Sequence, residues 1–388
     1  MFQEVRCEEA PHTVDKMCAN DNQPETYQPL LNRLFDSEAG SDVIFLVGPE
    51  PETWRFPCHK RVLCEANPVF KAMLENFHEN GNAEQTISIQ DIDGRAFDLL
   101  LRFLYKEDVI IQTVATALST LYAAQKYLCI ELMRECILFL DDALTTGNAL
   151  QIYEHLRVHS GQRVKGPSAP RYEIVHAETK PGEDFSFILR LLDSLLFNTL
   201  LFIDLHAEEI LCQENIEDLT LDSLKEILER DTLNVREALV YNTIERWCNR
   251  ECKRGHFELS QENRRTVLGE DILFSVRYLL MSPDEFISGP MSGNLLSKSE
   301  TMTLFAYLQN VPVTNTCSTL TDEVIHKMKI KRRPPKDLRI QLGKKHRTGC
   351  KKGDKKTKKK KEKNSSSPSC TGSCVADYVL RALSCLFD

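Results

Sequence analysis

The amino-acid sequence predicts an α+β domain, then an all-α domain, then a basic carboxy-terminal arm. Between Ser41 and Phe77 the apolar period changes: Val43, Phe45 and Val47 alternate, whereas Val62, Leu63, Ala66, Val69, Phe70, Met73, Leu74 and Phe77 recur at three and four. Alternation gives a strand one buried face, and the longer spacing gives a helix one apolar stripe. From Asn148 onward the pattern is helical with no strand runs between helices. Finally, 18 Lys/Arg against 3 Asp/Glu crowd residues 329–363, while the rest of the chain holds 31 basic and 54 acidic residues. One acidic body therefore carries one basic arm.

A chain of 388 residues is long enough for two or three domains. Its 14 cysteines are spread through helical patterns, as at Cys129 and Cys136, so they are expected to be reduced thiols of an intracellular protein. Residues 1–20 have acidic residues early and no apolar core, so no signal peptide is expected. The most membrane-like window, Phe185 to Ile203, is interrupted by Arg190 and Asp193, which favours a buried helix over a span.

Taken in order, residues 1–27 lack periodicity and are expected to be disordered. Pro29 to Phe35 read as a short amphipathic helix, followed by the strand at Val43–Val47 and a second short strand ending at Phe56-Pro57. A polar loop then leads to a strand at Ile87 and Ile89. Asp93 is placed to cap a helix whose core face is Phe97, Leu100, Leu101 and Leu104. Helices over Thr113–Tyr127 and Ile130–Leu144 close a domain spanning 28–145. The helical domain spans 146–310, with a Gly/Pro-containing insertion at 159–184. Capping boxes are predicted at Asn234–Glu237, Ser282–Glu285 and Ser297–Glu300. Residues 311–388 read as a disordered lysine-rich tail, ending in an amphipathic helix built on Val375, Tyr378, Val379, Ala382 and Leu386.

The stretches SDVIFLVG, FPCHKRVL, NPVFKAML, ISIQDIDGRAFDLLLRFLY and LYAAQKYLCIELMRECILFL, in that order, resemble a BTB (POZ) domain. The resemblance implies a small mixed sheet flanked by helices. LFIDLHAEEIL, LKEILERDTLNVREALVYNTIERW and NRRTVLGEDILFSVRYLLMSPDEFISGP resemble a BACK domain, in phrasing similar to the BTB-BACK-PHR family. After Gln309 only 79 residues remain, so that family's terminal PHR β-sandwich is expected to be missing.

The same resemblance implies where the chemistry of recognition lies. In similar proteins a hydrophobic-x-Glu motif after the third helix docks cullin-3, and Phe77-His78-Glu79 holds that place here. Leu30, Leu31, Leu34 and Phe35 become the dimer contacts with a second copy or a related BTB protein. Asp42, His59 and Lys60 are polar where strands and helix meet, and are expected to form a buried cluster. Helices starting near Asn148 would extend the cullin contact.

Catalysis has little support: no Gly-rich phosphate loop, HExxH or GxSxG stands in a supporting context, and no cofactor is expected. Cys248, Cys252 and His256 fall at i, i+4 and i+8, which fits a cysteine-lined helix interface better than a zinc site lacking a fourth ligand. The arm, residues 329–363, admits a solubilising tail, nuclear import or weak polyanion contact with nucleic acid, and attraction to anionic lipid with Cys370 and Cys374 as lipidation sites. The first reading of function is a non-enzymatic dimeric adaptor of a cullin-3 RING ubiquitin ligase, with an unidentified ubiquitination substrate, in the cytoplasm and by way of the arm also the nucleus. A regulatory BTB-BACK dimerisation partner without its own substrate domain, and a nuclear or membrane-associated scaffold, are the alternatives.

Overall fold

A computed structural model describes residues 38–75, 85–161, 185–312, 319–335 and 339–342. Three strands form one mixed sheet in the order β2-β1-β3: β1 (Val43–Val47), β2 (Trp54–Cys58) and β3 (Gln85–Ile89). β2 runs antiparallel to β1 with Phe45 opposite Phe56, and β3 runs parallel with Phe45 opposite Ile87. The parallel pair needs a crossover, which helices α1 (Lys60–Ala66) and α2 (Pro68–Glu75) begin.

Val43, Phe45 and Val47 are fully buried as period two requires, but β1 is apolar throughout and covered on both faces, with Ile44 buried and Leu46 partly so on the other side. Phe45 meets Phe70 edge-on at 5.7 Å and Phe97 at 5.5 Å, and Phe70 stacks on Tyr127 at 4.5 Å. This aromatic cluster joins the sheet to α2, to α3 (Gly94–Leu104) and to the end of α4 (Val114–Lys126). Asp93 caps α3 as predicted, accepting from the backbone N–H groups of Arg95 and Ala96. Trp54 lies half exposed on β2, stacked on Phe56, and its indole covers Gly94 so closely that a Cβ there would meet the ring at 2.5 Å.

Helix α5 (Ile130–Asp142) packs against α4 and ends two residues before the predicted boundary. A turn follows in which the Asn148 side chain accepts from the Thr145 N–H and donates to the Ala143 carbonyl. Helix α6 (Ala149–Gly161) then returns against α4; it enters the first three residues of the predicted insertion, and 162–184 lie outside the described residues. Helix α7 (Phe185–Leu205) is the apolar window, and it packs against α5 and α6 with Ile188, Leu191, Leu195 and Ile203 inward. Among the described residues no helix is long and apolar enough to cross a membrane.

The remainder is helical: α8 (Ala207–Leu211), α9 (Leu221–Leu228), α10 (Glu237–Arg254), α11 (Gln261–Leu268), α12 (Glu270–Leu273), α13 (Pro283–Phe286), α14 (Lys298–Leu308) and α15 (Asp322–Lys329). Helix α10 is central, with Val240, Tyr241, Ile244 and Trp247 buried, and the Trp247 indole N–H donates to the Leu219 carbonyl at 2.9 Å. Capping boxes stand at Ser282–Glu285 and Ser297–Glu300. The one expected at Asn234 is not formed: α10 begins at Glu237 after an uncapped Arg236. Buried Asp204 takes over that stretch. Its carboxylate accepts from Arg230 and Thr232, its carbonyl accepts from the Asn234 N–H, and the residues before α10 wind around it instead of capping it.

The tail does not begin at residue 311. Helix α15 buries Ile325 and Met328, Leu320 is buried ahead of it, and Arg332 is buried beyond it. Thus residues 319–335 and 339–342 belong to the folded body, and 343–388 lie outside the described residues.

Candidate docking surface

The hydrophobic-x-Glu segment, Phe77, His78 and Glu79, lies outside the described residues, but its root is well fixed. Asn67 has the extended backbone that a residue before proline adopts, and its side-chain oxygen accepts from Val69 N–H at 2.9 Å and Phe70 N–H at 3.0 Å. Its amide donates to the Tyr127 carbonyl at 2.8 Å, tying the start of α2 to the end of α4. With Val69, Phe70, Met73 and Leu74 buried, α2 is held on the sheet up to Glu75.

A second surface lies where α4 and α6 diverge. A groove of about 340 Å³ is lined by Ala115, Leu118 and Ser119 from α4, and by Gln151, Glu154 and Val158 from α6. Val158 is exposed, and one Glu154 carboxylate oxygen is buried without a hydrogen-bond partner. The groove is open and mixed in character, with Leu118 and Val158 beside Ser119, Gln151 and Glu154. Sequence reasoning placed the start of the helical domain at this surface but gave no groove, because two helices 35 residues apart make it.

The predicted polar cluster is arranged differently from expectation. Asp42 is exposed, not buried, and its carboxylate accepts from the Lys60 backbone N–H at 2.7 Å. It caps α1 from a distance, because His59 at the cap position supplies no side-chain bond. Lys60 is half buried. Of the three, only His59 is buried, and its partner is Tyr105: the hydroxyl lies 2.9 Å from the His59 backbone N and 3.0 Å from Nδ1. Burial also pushes the neighbouring Cys58 thiol up to about 12, well away from thiolate chemistry.

Cys248 and Cys252 are buried in the core, and burial raises Cys248 to about 12. His256 lies beyond the end of α10, exposed, with φ 54°, so the three do not share a helix face. Among the described residues no group of three or more His, Cys, Asp or Glu could hold a metal ion. The predicted dimer contacts Leu30, Leu31, Leu34 and Phe35, and the predicted lipidation sites Cys370 and Cys374, lie outside the described residues.

A three-stranded mixed sheet under helices, running into an all-α domain, agrees with the family comparisons. The BTB/POZ domain model matches residues 31–144, and the BACK model, "BTB And C-terminal Kelch", matches residues 191–288. The chain belongs to the proteins that join a BTB domain to a BACK domain. Among individual proteins it is similar to BTB/POZ domain-containing protein 6-A of Danio rerio, 31% identical over 274 residues, or 71% of this chain and 44% of that protein. BTB/POZ domain-containing protein 6 of Xenopus tropicalis is 29% identical over 287 residues, covering 73% and 48% of the two chains. BTB/POZ domain-containing protein 3 of Homo sapiens is 30% identical over 274 residues, covering 71% and 46%. The chain spans about half the length of the curated relatives it matches.

Proposed function

We propose that the chain is a non-catalytic dimeric adaptor that holds cullin-3 through its BTB domain and brings a ubiquitination substrate to the ligase. The observation that carries this reading is the junction itself, where the first helix after the BTB domain, α6, packs back against α4 and so sets helices of the two domains side by side. Phe77 is the aromatic anchor of the contact and Glu79 its orienting acceptor, the kind of centre that dominates protein interfaces. Leu30, Leu31, Leu34 and Phe35 pair two chains, and the pair raises the effective concentration of substrate near the ligase. The work is done by proximity in the cytoplasm, with no reaction centre of its own. The BACK domain positions the substrate-reading region.

The test is calorimetric titration of the cullin-3 amino-terminal region into wild type and into Phe77→Ala/Glu79→Ala. Loss of at least about tenfold in affinity, equivalent to about 1.4 kcal/mol, is expected while the dimer persists by analytical ultracentrifugation. An unchanged affinity overturns the proposed surface.

A further inference from the structure

Three arginines that sequence counting assigns to a solvated arm are engaged with the folded body. Arg332 is 4% exposed and faces Glu237, which is 6% exposed. Its Nε donates to Glu237 Oε1 at 2.7 Å and its Nη2 to Oε2 at 3.3 Å, while Nη1 donates to the carbonyls of Leu228 and Arg230, both at 2.7 Å. Leu228 ends α9 and Glu237 begins α10, so one planar guanidinium satisfies carbonyls left over at a helix carboxy-terminus and bridges them to a carboxylate at a helix amino-terminus. Backbone contacts fix the same stretch: Arg277 donates to the Ile330 carbonyl at 2.7 Å and also pairs with Asp231, whose carbonyl accepts from the Arg333 N–H at 2.8 Å.

A few residues on, the chain is held a second time, at the seam between the two domains. Asn198 on α7 is 1% exposed and its side-chain amide donates to Asp141 at the end of α5 at 2.8 Å. The amide of Asn198 is completed by the backbone of Ile340, whose N–H donates to Oδ1 at 2.8 Å and whose carbonyl accepts from Nδ2 at 2.9 Å. Arg339 pairs with Asp141 at 3.0 Å. Asp141 lies within the BTB match and Asn198 within the BACK match.

We propose that residues 330–335 and 339–342 are an intramolecular latch: a guanidinium site in the BACK domain holds Arg332, and the latch then closes the BTB–BACK seam through Arg339 and Ile340. The site suits arginine, because the planar fork spreads its donors over the Glu237 carboxylate and the Leu228, Arg230 and Ser275 carbonyls, whereas the three donors of a lysine ammonium radiate from a single point and do not match that spread. Because one short segment joins both anchors, loosening either loosens the other, and the orientation of the BTB domain on the BACK domain depends on both.

Hydrogen exchange on the full chain tests this, with Arg332→Ala releasing the near anchor and Ile340→Pro removing the far N–H while leaving the Asn198–Asp141 contact in place. In Arg332→Ala the amides of 339–342 and the seam segments 130–142 and 191–205 are expected to exchange at least about tenfold faster, with β1 unchanged. In Ile340→Pro the seam and the Arg333 amide are expected to accelerate together. Arg332→Lys should lie between wild type and Arg332→Ala, which separates the latch from collapse of the BACK core should the alanine variant unfold. Unchanged protection of 339–342 and the seam in both Arg332→Ala and Arg332→Lys overturns the proposal, as does acceleration confined to 339–342 in Ile340→Pro.

Discussion

The Tyr105 hydroxyl lies within hydrogen-bonding distance of both the backbone N and the ring Nδ1 of His59, 46 residues away, and joins the end of α3 to the start of α1. Tyr105→Phe leaves the buried His59 N–H without that acceptor. A loss of about 1–3 kcal/mol is expected, read as a lower urea midpoint at constant slope. An unchanged midpoint would show that the hydroxyl is dispensable.

Asn67 does two jobs with one side chain, and two substitutions separate them. Asn67→Ala removes the cap of α2 and the bond to the Tyr127 carbonyl, with an expected loss of at least about 1–2 kcal/mol. Asn67→Ser keeps a capping oxygen and removes the amide donor to the Tyr127 carbonyl without burying a charge. Chemical denaturation should place it between wild type and alanine only if the cap carries part of the effect; equal losses would assign everything to the Tyr127 contact.

Glu300 gives a pH dependence of known sign. Burial alone would raise its carboxyl, but hydrogen bonds from Arg265, Thr319 and Ser297 outweigh burial and hold it down at about 2 against an ordinary 4.5. Its contribution to stability is therefore complete above pH 4.5 and is lost as pH falls toward 2. Glu300→Gln should be less stable than wild type at neutral pH, and the gap should narrow over that acid range in parallel urea titrations. A gap that stays constant with pH would remove the carboxylate from the explanation.

Local patterns in the sequence carried the elements that depend on local physics. Val43, Phe45 and Val47 are buried in β1, Asp93 caps α3, and the serines at 282 and 297 form their boxes, since each needs residues no more than four apart. Asn234 failed as a cap because Asp204, 30 positions earlier, competes for its stretch. The carboxy-terminal boundary failed for the same reason. Arg332 looks like one more solvated cation until Glu237, 95 residues upstream, is brought beside it. Leu320, Ile325 and Met328 behind Thr321, the cap of α15, were the local signal that the fold continues past residue 311. Of the docking surface, Phe77 rests on family resemblance and lies outside the described residues, whereas the groove between α4 and α6 emerges only once the chain has turned at Asn148.

The chain has two tryptophans, and they occupy opposite environments in different domains: Trp54 open to solvent beside Gly94, and Trp247 sealed against Leu219. Nature has thereby given each half its own optical label. A water-soluble quencher sees the first and is blind to the second until the helical half opens, so the order in which the halves come apart is visible without attaching a dye.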